Sequence, residues 1–209
     1  MRPPLLLPAI LAIFVLPIYV QAEKGADLQP TNKGKVVLAE KFDGSTLGEG
    51  WTAAKGTWGI QDGAVIGREK ATDNHAAVLA IAKSQANGAV RFSFNLDGAS
   101  AFNLSFNYSQ GHLFRVIVTP TSLVLQKDKD KKDPNSKAAA LAQADGKFTP
   151  GEWHTLLVEM QGDKVTVLTD SGFRLVETDP AFKIAKTGPR FVMKGDKLLL
   201  DDLTIWQGE

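Results

Sequence analysis

Cysteine is missing from all 209 residues, which removes a disulfide framework, thiol catalysis and cysteine-ligated metal together. Charge of one sign is missing as well: 24 Lys and Arg stand against 23 Asp and Glu. Such a balance projects no long-range field, so neither nucleic acid nor an anionic membrane surface is an expected partner. Any ligand must be held by a local site. No Gly-x-Ser-x-Gly elbow occurs, which speaks against serine-triad chemistry. Only one long apolar run is present, Leu5 to Val20 behind Arg2, and it is broken by Pro8 and Pro17. A bilayer span needs roughly 18 or more apolar residues. With small residues at Val20-Gln21-Ala22, the run reads as a cleavable secretory signal over 1–22, not as an anchor. The mature protein is expected to start at Glu23, to be exported to the periplasm or the extracellular space, and to keep no membrane span. Removing 22 of 209 residues leaves 187, and Arg2 is the only charge lost, so the mature chain is formally neutral.

Residues 23–35 are polar and carry Gly25, Pro30 and Gly34, the composition of a flexible tether. One domain then runs over 36–208, a size ordinary for a single sandwich. Short β-branched, aromatic and aliphatic runs alternate with Gly, Asp, Asn and Pro, with no long helical periodicity, so the domain is all-β. Trp58-Gly59-Ile60 and Ala64-Val65-Ile66 flank Gln61-Asp62-Gly63, where Asp-Gly favours a tight hairpin. Further strands are expected at 77–82, 88–96, 102–108, 112–119, 121–127, 152–160, 164–169, 173–177, 190–193 and 197–206, about a dozen in all. That spacing is typical of a sandwich.

Period-2 alternation sorts the side chains. Phe92, Phe94 and Leu96 share one face, with Arg91, Ser93 and Asn95 opposite. Phe102, Leu104, Phe106 and Tyr108 repeat the pattern, with Asn103, Ser105 and Asn107 opposite. If the two strands are neighbours, they build an apolar underside beneath a face of amides and hydroxyls suited to a polyol; an ordinary solvated sheet face reads the same way. Between 127 and 136 the rhythm breaks at KDKDKKDPNS, followed by the alanine-rich stretch 137–144, where a short helix is expected. The alternating carboxylates lack the glycine and terminal glutamate of an EF-hand, so the segment reads as a solvated loop able to contact a ligand.

Phe42-Asp43-Gly44 with Gly50-Trp51, WGIQDGAVIG at 58–67, and GEWHTLLVEMQGDKVTVLTDSG at 151–172 resemble the 3-keto-disaccharide hydrolase family. LLLDDLTIW at 198–206 is similar to the closing strand of that family. The resemblance implies a concanavalin A-like jelly-roll β-sandwich of two antiparallel sheets, related to family-sixteen glycoside hydrolases and abundant in exported bacterial proteins. The carboxylate cluster of those glucanases is absent. Retaining hydrolysis needs two carboxyls about 5 Å apart, and Glu152, Glu159, Asp201 and Asp202 are not so spaced, with Asp201 and Asp202 on opposite faces.

Histidine is the remaining chemical clue. His75 follows Asp73 and Asn74 in a polar turn whose groups can orient it as an acid or base. His112 opens the strand HLFRV, where alternation puts it with Phe114 and puts Arg115 on the other side among aliphatics. Arg115 offers a guanidinium fork for a carboxylate or for hydroxyls, or a rim salt bridge. His154 reads as structural. His75, His112 and Asp73 have no metal-site spacing, so no metal and no cofactor are expected. Two functional readings stand. In the first, Arg91, Asn95, Asn103, Asn107 and Arg115 bind a saccharide or glycoside, rimmed by Asp73, His75, His112 and Tyr108. All four tryptophans fit core packing, which leaves Tyr108 as the aromatic platform. In the second, a 3-keto-glycoside is cleaved with His75 or His112 as acid or base and Arg115 holding the substrate, and both histidines then converge on one pocket. A structural or adhesion module without a small ligand is the third possibility.

Overall fold

The structure is a computed structural model, which describes residues 28–209. The expected signal segment and residues 23–27 of the tether lie outside the described residues. Fifteen strands and two short 3-10 turns form the described part. The strands are β1 (Lys35–Glu40), β2 (Trp51–Lys55), β3 (Thr57–Gln61), β4 (Ala64–Arg68), β5 (Ala77–Ile81), β6 (Gly88–Asn95), β7 (Ala99–Tyr108), β8 (Gly111–Thr119), β9 (Ser122–Lys127), β10 (Ala139–Asp145), β11 (His154–Gln161), β12 (Lys164–Thr169), β13 (Arg174–Thr178), β14 (Pro189–Gly195) and β15 (Leu198–Gln207).

Two antiparallel sheets face each other. The eight-stranded sheet runs β13-β12-β11-β6-β15-β4-β3, with β1 also on β15. The seven-stranded sheet runs β10-β9-β8-β7-β14-β5-β2. The hairpin at Asp62-Gly63 forms as its sequence requires, with φ of 53° and 72° at the two turn residues, the positive pair a tight antiparallel reversal needs. Strands β1, β2 and β10 add to the expected set. Alanine-rich β10 is an edge strand on β9 and not a helix, because pairing along β9 outweighs the weak helical propensity of a short alanine run.

Alternation holds inside the sandwich. Phe92 and Phe94 of β6 meet Phe102 of β7 across the interior, with ring centroids 5.9 and 4.9 Å apart. Phe106 stacks on Phe114 at 4.7 Å, and Phe114 meets Phe182 edge-on at 4.9 Å. Because β6 and β7 point their phenylalanines at each other, they belong to opposite sheets. The link Leu96-Asp97-Gly98 is an arch between layers and not a hairpin within one: Gly98 adopts φ 92° and its carbonyl accepts from Asp196 N–H at 3.0 Å.

Residues 28–34 are docked, unlike a free tether. Leu28 packs on Ala89, Leu157 and Trp206 outside the eight-stranded sheet, and Asn32 N–H donates to Glu159 Oε1 at 2.8 Å. Leu28 at one end and Asn32 at the other fasten the polar stretch between them to the sheet.

At one end of the sandwich, Gln85 and Lys186 exchange backbone hydrogen bonds of 3.0 and 2.8 Å, joining the β5–β6 link to the segment before β14. The Lys186 side chain is fully buried and donates to the carbonyls of Ala86, at 2.7 Å, and Phe182. Burial pushes its pKa down from 10.5 to about 8. Between those values the unfolded chain holds a proton that the folded chain has lost, so this lysine makes stability rise with pH from about 8 to 10.5, and the contribution is lost on acidification through about 8. In paired denaturant titrations, Lys186→Met should remove that rise. An unchanged pH slope in the variant would show that Lys186 is not its source.

Candidate functional site

The outer face of the seven-stranded sheet is read off its register. One row across the strands is Ala140, Gln126, Arg115, Ser105, Arg190, Ala80 and Thr52. The next row is Gln143, Val124, Ile117, Asn103, Val192 and Val78. A polar row with two guanidiniums thus lies beside an aliphatic row that carries Asn103 within it and Gln143 at its edge.

A β-bulge completes the cluster. Arg115 pairs with Ser105 and Phe114 with Phe106, but Asn107 then pairs with His112, so Leu113 is the extra residue. Leu113 and Phe114 both turn into the core, at 5% and 0% exposure. The parity of β8 flips there, as bulges do. Strict alternation had set His112 opposite Arg115; the bulge brings it to the same outer face. Its Nδ1 lies 2.9 Å from Asn107 Oδ1. An amide oxygen only accepts, so Nδ1 carries the hydrogen and Nε2 presents its lone pair outward. The imidazole pKa is lowered from 6.5, first by desolvation and then by Arg115, Arg190 and Lys131, with Asp128 opposing.

The KDKDKK segment supplies the acidic partners. Asp128, 5% exposed, clasps Arg115: Oδ1 is 2.5 Å from one terminal nitrogen and Oδ2 accepts from Nε at 3.1 Å. Gln126 Nε2 donates to the same carboxylate at 3.4 Å. Asp130 accepts from the Lys132 N–H at 2.9 Å and lies 3.4 Å from the Tyr108 hydroxyl. The first two aspartates therefore turn back onto the sheet end while Lys129, Lys131 and Lys132 stay exposed. Just before them, Lys127 pairs with Asp179 at 2.8 Å and ties β9 to the 3-10 turn Pro180–Lys183.

The structure gathers some expected site residues and separates others. Asn103, Asn107, Tyr108, His112 and Arg115 lie on or at the rim of this one face. Arg91 and Asn95 lie outside the opposite sheet, because β6 belongs to it. Arg91 donates to the Leu28 carbonyl at 3.1 Å and sits 5.5 Å over the Trp206 ring. The Asn95 side chain exchanges bonds of 2.9 and 3.1 Å with the backbone of Gly151, fixing the loop before β11. The five-residue polar face of Arg91, Asn95, Asn103, Asn107 and Arg115 is thereby corrected to its second half.

Asp73 and His75 are remote too. The Asp73 carboxylate accepts from Gly56 N–H at 2.6 Å, and His75 Nδ1 lies 2.7 Å from the Ala76 carbonyl oxygen. His75 lies two residues before Ala77, which is level with Phe102, whereas His112 pairs with Asn107 three strands away and about seven residues along from His75. At about 3.3 Å per residue and 4.8 Å per strand the two histidines are more than about 20 Å apart. They share no pocket.

Sequence reasoning missed Asp128, Gln126 and Arg190. Alternation of β14 as Phe191-in, Arg190-out was available, but which strand lies beside Arg115 was not. No tryptophan lies on this face: Trp51 packs inward on Phe42 and Phe191, Trp58 lies against the core edge, Trp153 directly precedes β11 of the other sheet, and Trp206 lies outside that sheet. A cleft of about 640 Å³ lies elsewhere, between residues 31–35, the end of β11 and the C-terminus. Among the described residues no helix is long and apolar enough to cross a membrane.

A sequence profile of the 3-keto-alpha-glucoside-1,2-lyase-like domain matches residues 39–188. The chain belongs to that family. The match covers most of this lyase-like domain, including the β7, β8 and β9 part of the candidate face, and ends just before Arg190 and Val192 of β14. A search of curated protein sequences finds no match. Among solved structures, the fold is similar to carbohydrate-binding module CBM66 from Bacillus subtilis, at 18% identity and TM-score 0.60 over 78% of this chain and 97% of that one. It is similar to SCLam, a non-specific endo-beta-1,3(4)-glucanase of family GH16, at 13% identity and TM-score 0.64 over 91% and 97%. Porphyranase B from Zobellia galactanivorans aligns at 10% identity and TM-score 0.63 over 88% and 96%. At such identities the likeness speaks for the jelly-roll fold, and the site must be argued from its own residues.

Proposed function

We propose that this lyase-like domain, exported and freed of its signal, binds a glycoside on the outer face of the seven-stranded sheet, at the end where β7, β8 and β9 meet. The observation that carries this reading is the convergence of Asn107, His112, Arg115 and Asp128, four polar groups from two strands and a loop, fixed by mutual hydrogen bonds before any ligand arrives. Preorganised amide and guanidinium donors are what sugar hydroxyls require. The adjoining aliphatic row of Val124, Ile117 and Val192 offers an apolar strip for the C–H faces of a ring. Family membership and the carbohydrate-active proteins that share the fold support a saccharide ligand. Calorimetric titration of the chain from Glu23 with glucosides, disaccharides and their 3-keto derivatives should show saturable binding weakened by Asn107→Ala. Absence of saturation with every sugar would overturn the reading.

One observation favours cleavage of a bound 3-keto-glycoside as a second reading. His112 is held as the tautomer with a free Nε2, and its lowered pKa keeps it neutral at pH 7, the state of a general base. The proton at C2 of a 3-keto ring is acidified by the carbonyl. Nε2 takes that proton, the electron pair forms the C1–C2 double bond through an enolate, the C1–O bond breaks, and the leaving alkoxide is protonated to the free alcohol. No carboxylate pair is needed. Activity should then be flat above pH 6.5 and fall at lower pH as His112 protonates, with its midpoint below 6.5. His112→Ala should lower turnover about 100-fold or more, while His75→Ala leaves it intact. Equal loss in both variants would contradict the single-histidine mechanism.

A further inference from the structure

Arg190 is the charged group on this face that the hydrogen-bond network leaves over. It projects from the start of β14, directly across from Ser105, whose other neighbour is Arg115. Arg115 is neutralised by Asp128. Arg190 is partly buried and has neither a side-chain hydrogen bond nor an ion pair among the described residues, and Ser105, 5% exposed, makes no side-chain hydrogen bond either. The charged groups that act on the nearby His112 are Asp128, Arg115, Arg190 and Lys131, with Asp130 beside Tyr108 on the rim. Asp128 cancels Arg115, which leaves Arg190 as an uncompensated cation beside the Ser105 hydroxyl. A half-buried guanidinium without an anion forgoes the bidentate pairing for which its geometry is suited.

We propose that the glycoside bound at this site carries a carboxylate, as a uronic acid does, and that Arg190 with the Ser105 hydroxyl receives it. This inference rests on the saccharide-binding reading above. The planar fork of the guanidinium matches the two carboxylate oxygens, and a ring lying over β7 and β8 toward His112 would place its acidic group across β14. Lys131, on the loop at the far side, adds long-range attraction that added salt screens.

The test compares two probes that differ in one group, a glucuronide and the corresponding glucoside, each titrated into the chain from Glu23 at low and at high salt. The expected result is at least tenfold tighter binding of the glucuronide at low salt, a smaller ratio at high salt, and a ratio near one in Arg190→Gln. A melting temperature unchanged in that variant shows that the fold is intact. Equal affinity of the two probes for the native chain, or a preference that survives Arg190→Gln, overturns the proposal and leaves the neutral-sugar site standing. Failure of both probes to bind would remove the site reading and this inference together.

Discussion

Replacing Phe94 with Ala is expected to cost about 3–5 kcal/mol of stability, the upper range for truncating a buried aromatic. Phe94 is fully buried and sits at the junction of both layers. Its ring centroid lies 4.9 Å from Phe102 of the facing sheet, 6.2 Å from Phe92 beside it, and 5.6 Å from both Phe148 and His154. Ala would leave a void walled by three aromatic rings and the His154 imidazole. The neighbours cannot readily collapse into it, because Phe102 is pinned by strand register on both sides and Phe92 by its pairing with Leu156. Without cysteine there is no cross-link to limit the loss, and a total stability of about 5–15 kcal/mol makes the change severe. Urea unfolding should show a lower midpoint with an unchanged m-value. A loss below about 1 kcal/mol would mean that the two layers do not meet at Phe94 as described.

That core was legible in the sequence, since the alternation of Phe92 with Phe94 and of Phe102, Leu104 and Phe106 is a local property of each strand. The Asp62-Gly63 hairpin was legible for the same reason. Which sheet a strand joins is not local. Asp97-Gly98 reads like any tight turn, yet it carries the chain from one layer to the other, and this moves Arg91 and Asn95 away from Asn103 and Asn107. The bulge at Leu113 is equally silent: HLFRV satisfies strict alternation, and only the register with β7 reveals that Leu113 and Phe114 both face inward. One extra residue therefore decides that His112 stands beside Arg115. The alanine-rich edge strand β10 shows the same limit, where a partner strand overrides local propensity. Residue types at the site were visible; their convergence depended on pairings between β7, β8, β9 and β14 that no single stretch encodes.

Arg115 and Asp128 allow structure and binding to be separated. Asp128 is 5% exposed, and Arg115 Nη2 and Nε reach its two oxygens at 2.5 and 3.1 Å. Replacing Arg115 with Gln strands that carboxylate with Gln126, at 3.4 Å, as its main remaining side-chain donor. Breaking a fully buried pair in this way costs about 3–5 kcal/mol. The Arg115 side chain is 26% exposed, so water relieves part of the penalty and about 2–3 kcal/mol is expected here. Saccharide affinity should fall about 10- to 100-fold, the worth of hydrogen bonds to a charged group. In the double variant Arg115→Gln with Asp128→Asn the buried charge is gone, so most of the stability should return, while the affinity should not. Recovery of both would mean that the pair only clips the loop to the sheet. Recovery of stability alone would show that the Arg115–Asp128 pair serves the ligand and not only the attachment of the loop.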